Sequence, residues 1–169
     1  MATWYLGKIH FQKEDEAGSL RTINEQYLLD AVSYTEAEAR MFEVVASNTL
    51  DFQLLKLTKM NLTEIFFEEN GSEKWYKVKA NYISFDEKTQ KEKLSPHTFL
   101  INCEDILAAW TAIKKNLGDL NDYDIVGITV TNILEVCPYV PANELLKKGN
   151  FRPLTEVLSD ATQPNSGIE

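Results

Sequence analysis

Most of this chain is written twice. Trp4-Tyr5-x-x-Lys8 returns as Trp75-Tyr76-x-x-Lys79, and Thr58-x-x-Asn61-x-x-Glu64-Ile65 returns as Thr129-x-x-Asn132-x-x-Glu135-Val136, a shift of 71 or 72 positions. Between these anchors Tyr27-Leu28-Leu29-Asp30-Ala31 corresponds to Phe99-Leu100-Ile101-Asn102-Cys103. A period that long makes each copy a supersecondary unit, and two such units pack together to bury one core.

Residues 3–12 alternate as a half-buried strand, with Tyr5, Ile9 and Phe11 on one face and Trp4, Lys8 and His10 on the other. After a polar loop, residues 22–33 read as the second strand of a hairpin. Ser33-Tyr34-Thr35-Glu36 is a capping box, so a helix follows over about 34–47. In the second copy Asp105 is the equivalent cap. Ile106, Ala109, Trp110, Ile113 and Leu117 then form an amphipathic stripe that Gly118 closes. Strands at 52–60 and 124–131 end the two copies, with an extra strand at 64–68 that the turn Asn70-Gly71 joins to the strand from Trp75.

The expected fold is therefore α+β: tandem pseudo-symmetric β-β-α-β repeats, 3–69 and 73–136, forming antiparallel sheet with two packed helices in one domain, 1–136. A shifted unit, β-β-β-β-α over 52–117, has the element order of PUR and whirly folds, which bind single strands, but element order alone is weak evidence of function. Residues 137–169 are expected to be an extension with short helices at 142–148 and 154–158 and a disordered end.

Composition narrows the function classes. No stretch has the ~18 to 20 apolar residues that cross a bilayer, and the N-terminus resembles no leader, which together read as a cytoplasmic chain with no membrane partner. Cys103 and Cys137 fall at non-equivalent positions and are expected to be small buried hydrophobes; a zinc site would need both of them with His10 and His97, the chain's two histidines. Asp119-x-x-Asp122-x-Asp124 lacks the glycine and distal glutamate of a calcium loop and reads as a solvated connection. No phosphate loop, nucleophile elbow or Cys/His dyad is present, so neither catalysis nor a cofactor or metal is expected.

The net charge is -9, yet residues 56–93 carry eight lysines against seven acids. Alternation puts Trp4, Lys8, Trp75, Lys77 and Lys79, with Lys56 from a following strand, on the face away from the expected core. Rings that stack on bases at roughly 1 to 3 kcal/mol each, beside lysines that neutralise phosphates, compose a platform for single-stranded nucleic acid. The same letters suit tryptophans that plug the joint between the repeats, or an aromatic face that binds another copy. Burial of both rings between the repeats would exclude the platform.

The run Tyr27-Leu-Leu-Asp-Ala-Val-Ser-Tyr-Thr-Glu-Ala-Glu-Ala-Arg40, with Thr3-Trp4-Tyr5 before it and Glu64-Ile-Phe-Phe67 and Lys74-Trp-Tyr-Lys-Val-Lys79 after it, resembles a domain-of-unknown-function family, number 4494, of the Bacteroidetes and their phages. The resemblance spans about 3–136. It implies a bacterial or phage origin but brings no activity, cofactor or site residue. The function expected from the residues is a non-enzymatic single-stranded nucleic-acid-binding accessory protein. The alternative is a protein-interaction or self-assembly module, here a homo-oligomer, using the same aromatic face.

Overall fold

A computed structural model of the chain describes residues 3–49, 51–69, 71–118 and 122–139. The expected helices at 142–148 and 154–158 and the expected disordered end lie outside these residues. The element order is β1 (Thr3–Glu14), β2 (Leu20–Ala31), α1 (Tyr34–Ala46), β3 (Phe52–Met60), β4 (Glu64–Phe66), β5 (Trp75–Asp86), β6 (Lys91–Asn102), α2 (Ile106–Leu117), β7 (Tyr123–Val130) and β8 (Ile133–Cys137). All belong to a compact unit that ends at Cys137.

The local signals explain most of these elements. Ser33 Oγ accepts from the Glu36 amide at 3.2 Å, while the Glu36 carboxylate accepts from the Val32 amide at 2.8 Å. The return bond of the capping box thus lands one residue before the cap. Asp105 Oδ1 accepts from the Ala108 amide at 2.7 Å, and Gly118 ends α2 with φ +77°, a conformation that other residues adopt at a cost.

The fold is α+β, with two helices and two sheets of four strands among the described residues, ordered β3-β1-β2-β8 and β4-β6-β5-β7. In the first sheet β1 and β2 form a hairpin, and the chain crosses through α1 to place β3 on the far side of β1; β5, β6, α2 and β7 do the same in the second. The pairings correspond residue by residue. Trp4 faces Asp30 as Trp75 faces Asn102, Tyr5 faces Lys59 as Tyr76 faces Val130, and bulges interrupt Lys8/Ile9 and Lys79/Ala80.

The short strands depart from expectation. β4 joins the second sheet, parallel to β6, and β8 joins the first, parallel to β2. Each half therefore donates its last strand to the other half's sheet. β4 and β5 do not form a hairpin, because β4 pairs with β6 and not with β5. The shifted β-β-β-β-α unit is likewise excluded, since β3 and β4 lie in different sheets.

Alternation then supplies three cores. Tyr5, Ile9, Tyr27 and Leu29 pack under Ala37, Met41 and Val45 of α1. Tyr76, Val78, Phe99 and Ile101 pack under Ala109 and Ile113 of α2. On the opposite faces Leu28, Trp75, Leu100, Ile133 and Val136 pack together, with Trp4, Leu6, Met60 and Ile65 against them, so the layers run helix, sheet, sheet, helix. Full burial of an aliphatic side chain of this kind contributes about 1.5 to 3 kcal/mol. One volume exchange distinguishes the halves. A Cβ on Gly7 would collide with the terminal methyl of Met41, whereas at the corresponding places Val78 and Ile113 share a core.

Candidate functional site

The face that carries the predicted site residues is the face on which the two sheets meet. Trp75 retains 7% of its surface and its ring meets Phe67 edge-on, with centroids 5.4 Å apart. Trp4 is half-buried against the same inter-sheet cluster. A base cannot stack on a ring buried in this way, so Trp75 is corrected from a stacking residue to a core residue, and Trp4 belongs to the same core's margin. The physical reason is that each sheet is apolar on both sides. One side takes a helix and the other takes the second sheet, and alternation by itself cannot tell such a buried face from a free one.

The four lysines lie farther along the same strands, and they fall into two separate pairs. Lys8 and Lys56 are exposed and directly opposite one another on β1 and β3, with Gln26 on the other side of Lys8. Like charges so opposed repel, and neither lysine forms an ion pair among the described residues. Lys8 borders a depression of about 510 Å³ that Asn24, Gln26 and Asn132 also line, together with one acid, Glu25. In the second sheet Lys77, half-buried, and Lys79, exposed, follow one another on one face of β5 opposite Thr129 and Gly127 of β7. This collection of cations and amides can hold an anion by hydrogen bonds and charge, without rings to stack a base.

The four residues considered for zinc stand on separate elements. His10 Nε2 is 2.9 Å from Gln53 Oε1, and His97 sits among Tyr82, Phe99 and Tyr123, 3.1 Å from Thr63 Oγ1. Cys103 is buried in the α2 core and Cys137 packs at the edge of the α1 core. Burial, followed by the negative charge of Glu135, pushes the Cys137 thiol up to about 11; burial also raises that of Cys103. Both thiols are poor nucleophiles at neutral pH. Among the described residues no group of three or more His, Cys, Asp and Glu could hold a metal ion, and no helix is long and apolar enough to cross a membrane.

A second surface escaped the sequence reading. The buried face of α2 is made by Ala109 and Ile113 with the half-buried Ala108, Ala112 and Leu117, and the small alanines seat the helix on the sheet. Ile106 and Trp110, counted in the predicted stripe, are instead exposed, as is Leu107 at 71%. Beside them runs β7, an edge strand with exposed Val126 and Val130. Val130 is the cross-strand partner of Tyr76, whose ring lies in the α2 core, so its side chain is on the helix side of the sheet. The signal was the width of the stripe, since five apolar residues among Ile106, Leu107, Trp110, Ile113 and Leu117 exceed what one helix face can bury.

The family model for the domain of unknown function DUF4494 matches residues 3–139, and the chain belongs to that family. No curated protein and no solved structure matches the chain.

Proposed function

We propose that this member of the DUF4494 family is a non-catalytic protein-interaction module that docks through the flank formed by α2 and the edge strand β7. The aromatic sheet face first considered for that role is occupied by the other sheet. The carrying observation is a contrast between equivalent positions. Registers and helix caps match Thr35, Glu38 and Lys59 of the first half with Leu107, Trp110 and Val130 of the second. At these three positions the same architecture holds water-compatible residues on one flank and apolar ones on the other; the first flank still exposes Tyr34, Phe42 and Leu55, but there Thr35, Glu38 and Lys59 interrupt them, and clustered exposed apolar residues mark interaction surfaces. A photo-crosslinking amino acid placed at Trp110 in cells is expected to form protein adducts, while the same probe at Glu38 is not. Adducts at neither position, or equally at both, refute the reading.

A second reading rests on the opposed Lys8 and Lys56. There the partner is a polyanion such as single-stranded nucleic acid, held through its backbone by Lys8, Lys56, Lys77 and Lys79. It requires oligonucleotide binding that weakens steeply with salt and is lost on Lys8→Ala/Lys56→Ala. No binding at low salt eliminates it.

A further inference from the structure

We infer that the partner of the α2–β7 flank is a second copy of this chain, joined by antiparallel pairing of β7 with its counterpart; this rests on the interaction reading above. Three observations point to it.

The first concerns the strand edge. β3 and β7 end their sheets in equivalent places, and the outer backbone row of each has no strand partner among the described residues. Proteins guard such edges with lysines and bulges. Both strands carry the same bulge, so the bulge does not distinguish them. Charge does: β3 presents Lys56 and Lys59, whereas β7 has Gly127 and Val130 at those positions and no lysine anywhere. One edge carries two lysine guards, while its equivalent carries none and only one acid, Asp124, near its start.

The second is the direction of α2. The Tyr76 hydroxyl donates to the Glu104 carbonyl at 3.3 Å, and Tyr76 is paired with Val130, so the helix begins near the end of β7. The helix finishes at Leu117, and β7 starts only a few residues later at Tyr123. Helix and strand are therefore antiparallel. When two β7 strands pair antiparallel about a two-fold axis normal to the sheet, the two α2 helices lie side by side, also antiparallel, on one face. Leu107, Trp110 and Val130 then line the seam between them.

The third is charge. The chain enters α2 through Glu104 and Asp105 and leaves it with Lys114 and Lys115 in the last turn. Antiparallel helices bring the lysines of one copy toward the acids of the other, at both ends of the seam. The first flank cannot do this, because α1 has Glu36 in its first turn, Glu43 near its end and no base in its last turn. Self-pairing there opposes acid to acid. Only one of the two flanks is self-complementary, which closes the assembly at two copies and avoids a fibre.

Sedimentation of the full chain tests this. At about 100 µM, within reach of a modest specific interface, the expected mass is twice the 19.3 kDa of one chain. Gly127→Lys/Val130→Lys gives β7 the guards of β3. A Cβ at Gly127 meets nothing within 4 Å, so circular dichroism is expected to be unchanged while association weakens by roughly 100-fold. Glu104→Lys and Lys115→Glu alone are each expected to weaken it about tenfold, and together to restore it to within about threefold of the parent. A parent that stays monomeric, a lysine double variant that still dimerises, or a charge exchange no better than its single changes overturns the inference. A monomeric parent that still cross-links at position 110 in cells overturns the second copy alone and leaves the interaction reading standing.

Discussion

Replacing Trp75 with alanine separates a core tryptophan from a binding one. A buried tryptophan covers roughly 150 to 250 Å², which at about 25 cal/mol per Å² corresponds to about 4 to 6 kcal/mol as an upper figure, while core Trp→Ala changes cost about 3 to 5 kcal/mol. Trp75 keeps only 7% of its surface and loses the edge-on contact with Phe67 as well. We expect a loss of about 4 kcal/mol, a large part of the 5 to 15 kcal/mol typical of a folded domain. Trp110→Ala, measured at a protein concentration low enough to keep the chain monomeric, is the internal control. Trp110 is 46% exposed, and Lys114 lies over its ring with Nζ 5.6 Å from the ring centre. That loss is expected near 1 kcal/mol, with about 0.5 to 1 from the cation–π contact. In urea titrations followed by circular dichroism, a slope near 2 kcal/mol per M turns these into midpoint shifts of about 2 M and about 0.5 M. Equal shifts for the two variants, or less than about 1 kcal/mol for Trp75→Ala, refute the placement of Trp75 between the sheets.

Other expectations follow from single contacts. Arg40 bonds both the carboxylate, at 2.8 Å, and the carbonyl of Asp30, and reaches the Cys137 carbonyl at 3.4 Å, tying α1 to β2 and to the exchanged β8; Arg40→Ala is expected to cost about 2 to 3 kcal/mol by thermal melting, and a change below about 0.5 kcal/mol contradicts that role. Gly7→Val is expected to destabilise by about 1 to 3 kcal/mol through overpacking, and Met41→Ile in the same chain, which recreates the Val78 and Ile113 pair, is expected to recover most of it; a double variant no more stable than Gly7→Val argues against the volume exchange. The Cys137 thiol is held neutral in the fold, with its pKa raised from 9.0 to about 11. Its contribution to stability is therefore complete below pH 9 and is lost as pH rises toward about 11. Urea midpoints measured across that range are expected to fall less for Cys137→Ala than for the parent, and identical slopes exclude the thiol as their source.

The sequence made the α+β class, both helix caps and the alternation of β1 and β5 legible, because each depends on neighbours within a few residues. Ser33 and Asp105 act through bonds within a single turn and Gly118 through its own positive φ, so local letters sufficed. The destination of β4 and β8 did not show. Leu100 pairs with Ile65 and Leu28 with Val136, and nothing in Glu64-Ile65-Phe66 encodes which sheet it will join. The misassigned tryptophans have the same origin. Trp4 and Trp75 were correctly placed away from the helices, but whether that side meets water depends on the other sheet. Lys8, Lys56 and Lys79 did emerge exposed, since their charge forbids burial without a partner. Ile106 and Trp110 show the converse error, in which hydrophobicity was equated with burial on a helix whose alanines already filled the contact.

The exchange of β4 and β8 also bears on how the two halves stay together. Were the chain cut between β4 and β5, each fragment would hold a strand that completes the other's sheet, and reassembly would be a bimolecular reaction. In the intact chain the eight residues between Phe66 and Trp75 act as a short tether, and tethers of this length set effective concentrations in the millimolar range. A joint that would fall apart at cellular concentrations as two molecules can therefore hold as one. The facing surfaces can therefore be apolar at the tryptophan end and polar at the lysine end without the two halves coming apart.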